Sequence, residues 1–169
     1  FRLRRYSIFD SDTNYFDNWR NEEICHKVAR KCYRPATRLI REMVETHEGR
    51  FRASFALTGM VIEQLQRWDP DVLDDFKALA ETGCVEFIAE TYYHSLSFLY
   101  DRDEFAAQIE KHRQLMEQLF GQRPRVFRNT ELTYNNDVAR VVEDLDFDGI
   151  LTEGADHVLG YRSPAFVYN

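Results

Sequence analysis

Arg125-Val-Phe-Arg-Asn-Thr-Glu131-Leu-Thr-Tyr-Asn-Asn136 is a short apolar run that ends in polar residues gathered round one carboxylate. Pro124 closes a turn after Gly121, and Val126 and Phe127 have the β-branched and aromatic character of a short buried strand. Arg128 to Glu131 then sit just past the strand's carboxyl end. Asn135 or Asn136 caps the helix that follows, whose apolar positions Val138, Val141, Val142 and Leu145 recur at helical spacing. Strand, polar loop and helix in this order belong to parallel α/β architectures, where sites collect at the carboxyl ends of strands.

Taken alone, Glu131 is a solvated loop carboxylate or a partner for Arg128. Its neighbours point further. Asn129, Thr130, Tyr134 and Asn135 supply hydrogen-bonding groups on both sides, as a site for a polyhydroxylated ligand needs.

Outward from this stretch the same alternation repeats. Phe1 to Asp17 is read as an extended segment and loop. A helical pattern runs from about Glu22 to His47, broken near Pro35 and ended by Gly49. Phe51 to Leu57 alternates as a strand. Thr58 or Gly59 opens a helix with Val61, Ile62 and Leu65 inward. The next has Asp69 as cap, Pro70 at the first position, a stripe of Val72, Leu73, Phe76, Leu79 and Ala80, and Gly83 as terminator. Cys84 to Ala89 is a second strand, and Glu90 to Tyr100 is a loop of Thr, Tyr, His and Ser. Asp101 or Asp103 starts a helix that buries Phe105, Ile109, Met116 and Phe120 and ends at Gly121. Phe147 to Leu151 is a fourth apolar run, and Thr152 to Asn169 reads as loop. Strands alternating with helices of about ten residues or more imply parallel βαβ units. The fold class is α/β, and four strands fall short of a closed barrel.

With 169 residues, 44% of them hydrophobic, no linker-like tract and no internal repeat, residues 1–169 are expected to form a single domain. A net charge of -7 and a pI near 5.3 argue against a nucleic-acid surface, and the basic cluster Arg2, Arg4 and Arg5 is too short to reverse that. No apolar stretch approaches membrane-spanning length. Cys25, Cys32 and Cys84 show no CxxC pairing, which suggests a reducing, cytoplasmic location; Cys84 reads as a small core residue. The chain starts at Phe1, which leaves a leader open. Tyr92, Tyr93, Tyr100, Tyr134 and Tyr161 lie in or beside loops, where an aromatic face can stack on a sugar ring.

A second polar cluster, Glu90-Thr-Tyr-Tyr-His94-Ser-Leu, gathers where a strand runs out. His94 could bond a sugar hydroxyl or bind a metal. Position 98 is Phe, so no HxxxH pair exists, and Asp101 is the nearest acidic alternative. No metal or other cofactor is expected.

Gly83-Cys-Val-Glu-Phe-Ile-Ala-Glu-Thr-Tyr-Tyr-His94 resembles the second motif of glycoside hydrolase family 57, and Phe127-Arg-Asn-Thr-Glu131-Leu resembles its third. Those are retaining, α-glucan-active enzymes, α-amylases and 4-α-glucanotransferases among them, with an incomplete seven-stranded (β/α) barrel. The resemblance continues through Gly154-Ala-Asp-His157 and Gly160-Tyr-Arg-Ser-Pro164. It implies that Glu131 is the nucleophile towards an α-glucan or maltooligosaccharide, and that His94 lines the adjacent subsite. Glu90, Asp156 and His157 would line the cleft, with Tyr93 and Asn129 as further substrate-binding groups.

The family's first motif, His-Gln-Pro, would fall just before Phe1, and its acid/base Asp well beyond Asn169. The chain is therefore expected to be part of a catalytic barrel, inactive on its own and prone to self-association through exposed sheet edges. Retaining hydrolysis uses two carboxyl groups roughly 5 Å apart. Two other readings stand beside this one: a metal-dependent hydrolase similar to polysaccharide deacetylases, and a non-catalytic carbohydrate-binding relative.

Overall fold

The computed structural model describes residues 2–166. They fall into two compact units whose segments interleave along the chain. The first comprises residues 2–54 and 60–86. The second comprises residues 55–59 and 87–166.

In the first unit, α1 (Asn18–Val28) starts earlier than its apolar pattern suggests, because Asp17 caps it by accepting the Arg20 N–H at 3.1 Å. The expected break near Pro35 lies just upstream, in a wide π turn at Ala29–Tyr33 closed by the Arg34 N–H on the Ala29 carbonyl. α2 (Arg34–Thr46) continues from this turn, with Pro35 as its second residue, so the wide turn lies where the proline cannot donate to the helical ladder. α3 (Gly59–Trp68) and α4 (Pro70–Glu81) follow as expected, with Ile62, Leu65, Val72, Phe76 and Leu79 almost fully buried. Asp69 departs from its expected role. It precedes α4, but its side chain makes no capping bond; the carboxylate instead pairs with the Arg34 guanidinium and with His26 Nδ1 at 2.9 Å, which are stronger charge-assisted partners. Cys84 is buried, and its Sγ–H donates to the Gly49 carbonyl.

β1 (Ala53–Ala56) pairs with β2 (Val85–Ile88), and both strands run from the first unit into the second. The second unit continues with α5 (Arg102–Phe120), capped by Asp101 through the Asp103 and Glu104 N–H groups and ended by Gly121 at φ 65°. β3 (Val126–Arg128) pairs parallel with β4 (Gly149–Leu151), in the register Phe127 to Ile150. A parallel bridge joins Ala89, just past β2, to Phe127: the Ala89 N–H donates to Val126 O at 2.9 Å and the Arg128 N–H to Ala89 O at 2.8 Å. The βαβ reading is met here. α6 (Asn136–Asp144) is capped by Asn135 on the Val138 N–H, and a short α7 (Asp156–Leu159) occupies part of the stretch expected to be loop.

The core of this unit is Ala89, Phe105, Ile109, Phe127, Val138 and Val142, with Phe98, Val141, Leu145, Phe147 and Ile150 packed round it. Phe127 sits edge-on to Phe105 at 5.8 Å between centroids. It is the last apolar residue of β3 before Glu131, so the site loop springs from a fully buried anchor.

Candidate active site

Every strand of a parallel pair delivers its next residues to the same edge, which is why two loops meet here. The loop after β2 carries Glu90, Thr91, Tyr92, Tyr93 and His94. The loop after β3 is a single tight turn, Thr130–Leu132. Glu131 lies within it at φ 55°, with Leu132 also at φ 55°, and His94 takes φ 53°. Residues with a Cβ avoid this left-handed region, so strain of order 1–3 kcal/mol at each is held by the surrounding bonds.

The Glu131 carboxylate is 74% exposed, and its Oε1 is 3.2 Å from His94 Nε2. The opposite ring nitrogen, Nδ1, is 3.5 Å from Glu90 Oε2, within ion-pair distance and longer than an ordinary hydrogen bond. Burial pushes the Glu90 carboxyl above its ordinary value; its bond to His94 and the charges of His94 and Arg128 pull it down, but by less. Thus the three residues that the sequence singles out in two separate loops come together.

Glu131 also lines a pocket of about 490 Å³ with Leu132, Thr133, Tyr134, Thr152, Glu153, Ala155, His157, Val158 and Leu159. His157 is brought to the same pocket as Glu131; Asp156, exposed at the start of α7, is not among its walls. Tyr93 is half exposed and is held from behind. The Lys111 ammonium bonds its hydroxyl and lies 4.5 Å from its ring centroid, and the Tyr93 N–H donates to Gln108 Oε1.

Two expectations need correction. Asn129 has no exposed surface, and its amide is spent on the loop: Oδ1 accepts the Thr130 N–H, while Nδ2 donates to Thr133 O and Oγ1. It shapes the turn that carries Glu131 instead of facing the pocket. Tyr92 lies in a loop as expected, but its ring is buried and offers no face to a sugar. A Cβ on Gly59 would lie 2.5 Å from its ring, so the glycine leaves room for it, and Lys111 sits over its face at 3.8 Å.

Two residues went unremarked in the sequence. Glu153, two positions beyond β4, obeys the strand-end rule that identified Glu131. His112 is fully buried on the apolar stripe of α5, and a polar residue on that stripe is itself a signal. Its Nε2–H donates to Leu57 O at 2.7 Å and its Nδ1 accepts the Glu90 N–H at 3.4 Å; burial lowers its pKa, the Leu57 bond opposing more weakly. Among the described residues, no three His, Cys, Asp or Glu side chains gather to hold a metal ion, and no helix is long and apolar enough to cross a membrane.

Comparison with known proteins gives this geometry a context. A protein of Methanocaldococcus jannaschii named "Putative alpha-amylase" is 46% identical over 155 residues, covering 91% of this chain and 33% of its own length. The 4-alpha-glucanotransferase of Thermococcus litoralis has a similar structure over 83% of this chain and 21% of its own, with a TM-score of 0.73 at 16% identity. A polysaccharide deacetylase of Bacillus cereus aligns over 75% of this chain and 59% of its own, at TM-score 0.51 and 17% identity. Both structural likenesses speak to the fold, and the chain spans a third or less of the first two proteins. The sequence model of Glycosyl hydrolase family 57 matches residues 3–169, and the chain belongs to that family.

Proposed function

We propose that this chain is the nucleophile-bearing part of the catalytic barrel of a retaining α-glucan-active enzyme, of the α-amylase or 4-α-glucanotransferase type. The observation that carries the reading is Glu131 itself: an exposed carboxylate at the carboxyl end of a parallel strand, on a left-handed turn, beside His94 and opening on a pocket of about 490 Å³. Family membership and the names of the relatives support the substrate class.

In this reaction a Glu131 oxygen attacks the anomeric carbon while an acid protonates the departing glycosidic oxygen. Water, or another sugar hydroxyl, then displaces the carboxylate with the same acid now acting as base. Glu131 and the second carboxyl act on opposite faces of the bond. The family resemblance assigns that second role to an Asp outside these 169 residues. Tyr93, His94 and His157 are exposed side chains that can meet sugar, and Asp156 stands beside His157 in sequence. Three free cysteines favour a cytoplasmic setting.

Glu131→Gln in the full natural chain is the direct test. Turnover of maltooligosaccharides should fall by ~10⁴-fold or more, as for loss of a covalent nucleophile, with glucan binding by calorimetry retained. Undiminished turnover ends the reading. The 169 residues alone should show little or no hydrolysis, since a general acid typically contributes ~10²–10⁴-fold. They should also self-associate in light scattering.

A further inference from the structure

We propose that Glu90 and His94 form a positioning relay for Glu131: the buried Glu90 carboxyl holds the imidazole through Nδ1, so that Nε2–H is presented to the Glu131 carboxylate. This rests on Glu131 being the nucleophile, and it gives His94 and Glu90 a role distinct from lining a sugar subsite.

The geometry has a direction. Side-chain exposure rises from 3% at Glu90 through 41% at His94 to 74% at Glu131, so the contacts run from the interior to the reacting surface. Both ends of the outer contact lie on left-handed backbone, His94 at φ 53° and Glu131 at φ 55°. Such conformations persist only where neighbouring bonds over-determine them. Here those bonds are the His94 N–H on Thr91 O, the Ser95 N–H on Thr91 Oγ1, the Leu132 N–H on Asn129 O and the Thr133 N–H on Thr130 O.

Proton accounting leads to the same donor. A neutral imidazole carries one N–H and faces two carboxyl groups. If Glu90 is protonated, its O–H serves Nδ1 and the ring hydrogen stays on Nε2. If Glu90 is ionised, an imidazolium serves both carboxylates. Only Nδ1–H with a bare Nε2 turns a lone pair towards Glu131, and that state is repulsive. The other charged group acting on Glu90 is Arg128, and His112 meets its backbone N–H as a neutral ring, its own hydrogen committed to Leu57 O. Burial of Glu90 favours the protonated state, which fixes the tautomer with no net charge added. With Oε1 engaged by Nε2–H, the second Glu131 oxygen is free to attack.

Ring-nitrogen chemical shifts of His94 test this in the full natural chain labelled with ¹⁵N-histidine. Nε2 should carry hydrogen from pH 6 to 8. Glu90→Gln, whose amide can donate to Nδ1, should keep that state, whereas Glu90→Met should give the mixed tautomers of a free imidazole. An Nδ1–H tautomer in the wild type, or unchanged shifts in Glu90→Met, overturns the relay.

Kinetics supply a second readout. Glu90→Met and His94→Phe should each lower kcat about 10- to 100-fold, as for loss of a bond to a charged group, with KM little changed and the double variant no worse than His94→Phe. A raised KM at unchanged kcat, or additive losses, overturns the relay and leaves both residues as subsite walls. The two readings fail separately. The wrong tautomer removes the relay and leaves the nucleophile, whereas full turnover by Glu131→Gln removes the nucleophile whatever the tautomer.

Discussion

The hydroxyl oxygens of Thr91 and Thr130 lie 3.1 Å apart, both side chains buried, so the loop after β2 is pinned to the loop after β3. This bond sets the span between His94 and Glu131. Thr91 Oγ1 also accepts the Ser95 N–H at 2.8 Å, so it serves two loops where Thr130 Oγ1 serves one contact. Thr91→Val should cost about 2–3 kcal/mol because it strands a buried N–H and a hydroxyl, and Thr130→Val about 1 kcal/mol. Urea unfolding measures both; equal costs would show that the Ser95 bond contributes nothing.

Stability should carry two opposed pH dependences. His112 has its pKa lowered by burial from an ordinary 6.5, so below pH 6.5 the unfolded chain binds a proton that the folded one refuses. Stability is full above 6.5 and falls as pH drops, by up to about 1.4 kcal/mol per unit for one group. His112→Gln should flatten that slope. A slope between pH 6.5 and 5.5 identical to wild type would remove His112 as its source.

Glu90 acts the other way. Its carboxyl is raised above an ordinary 4.5, so as pH climbs through 4.5 the unfolded chain ionises first and the folded state loses ground until its own pKa is passed. Glu90→Gln should therefore be the more stable protein at neutral pH, with the difference vanishing below 4.5. A less stable Glu90→Gln at pH 7 would mean that the contact with His94 outweighs desolvation.

Gly59→Ala would set a methyl 2.5 Å from the Tyr92 ring, which is buried and backed by Lys111. The ring cannot swing out cheaply. A loss of about 1–3 kcal/mol is expected, as for overpacking elsewhere, and it should disturb Tyr93 and His94, which follow Tyr92 in the chain. A thermal melt unchanged from wild type would count against this packing.

Tyr93 should matter for binding more than for turnover. Tyr93→Ala is expected to weaken maltooligosaccharide binding about 2- to 10-fold, the range of one aromatic contact. Lys111→Met should give a smaller loss, since it frees the ring without removing it. Titration calorimetry on a turnover-deficient Glu131→Gln background separates the two; equal affinities for Tyr93→Ala and its parent would place the sugar elsewhere.

What could be read from sequence was local. α4 and α5 carry their own punctuation, Pro70 to Gly83 and Asp101 to Gly121, and Glu131 stands out because polar residues follow a short apolar run. The misreadings share one cause: a partner far off in sequence or a competing one close by. Asp69 looks like a cap until His26 and Arg34 claim it. Asn129 looks like a ligand group until Thr133 takes its amide. Tyr92 looks like a tyrosine that faces a sugar ring until Gly59 makes room for its ring in the interior. The meeting of Glu90, His94 and Glu131 depends on where β2 and β3 lie side by side, which no window of ten residues contains.

The bond from His112 to Leu57 spans 55 residues and ties a five-residue excursion, 55–59, to the unit that holds the site. As the chain emerges from a ribosome, Leu57 appears well before the helix that will claim its carbonyl, and the intervening residues 60–86 belong to another core. The loop after β2 thus waits on an early segment held in reserve. An excised piece beginning at Phe87 would lack both the acceptor for His112 and the glycine that admits Tyr92, so for dissection or for circular permutation the smallest transferable part of this site starts no later than residue 55.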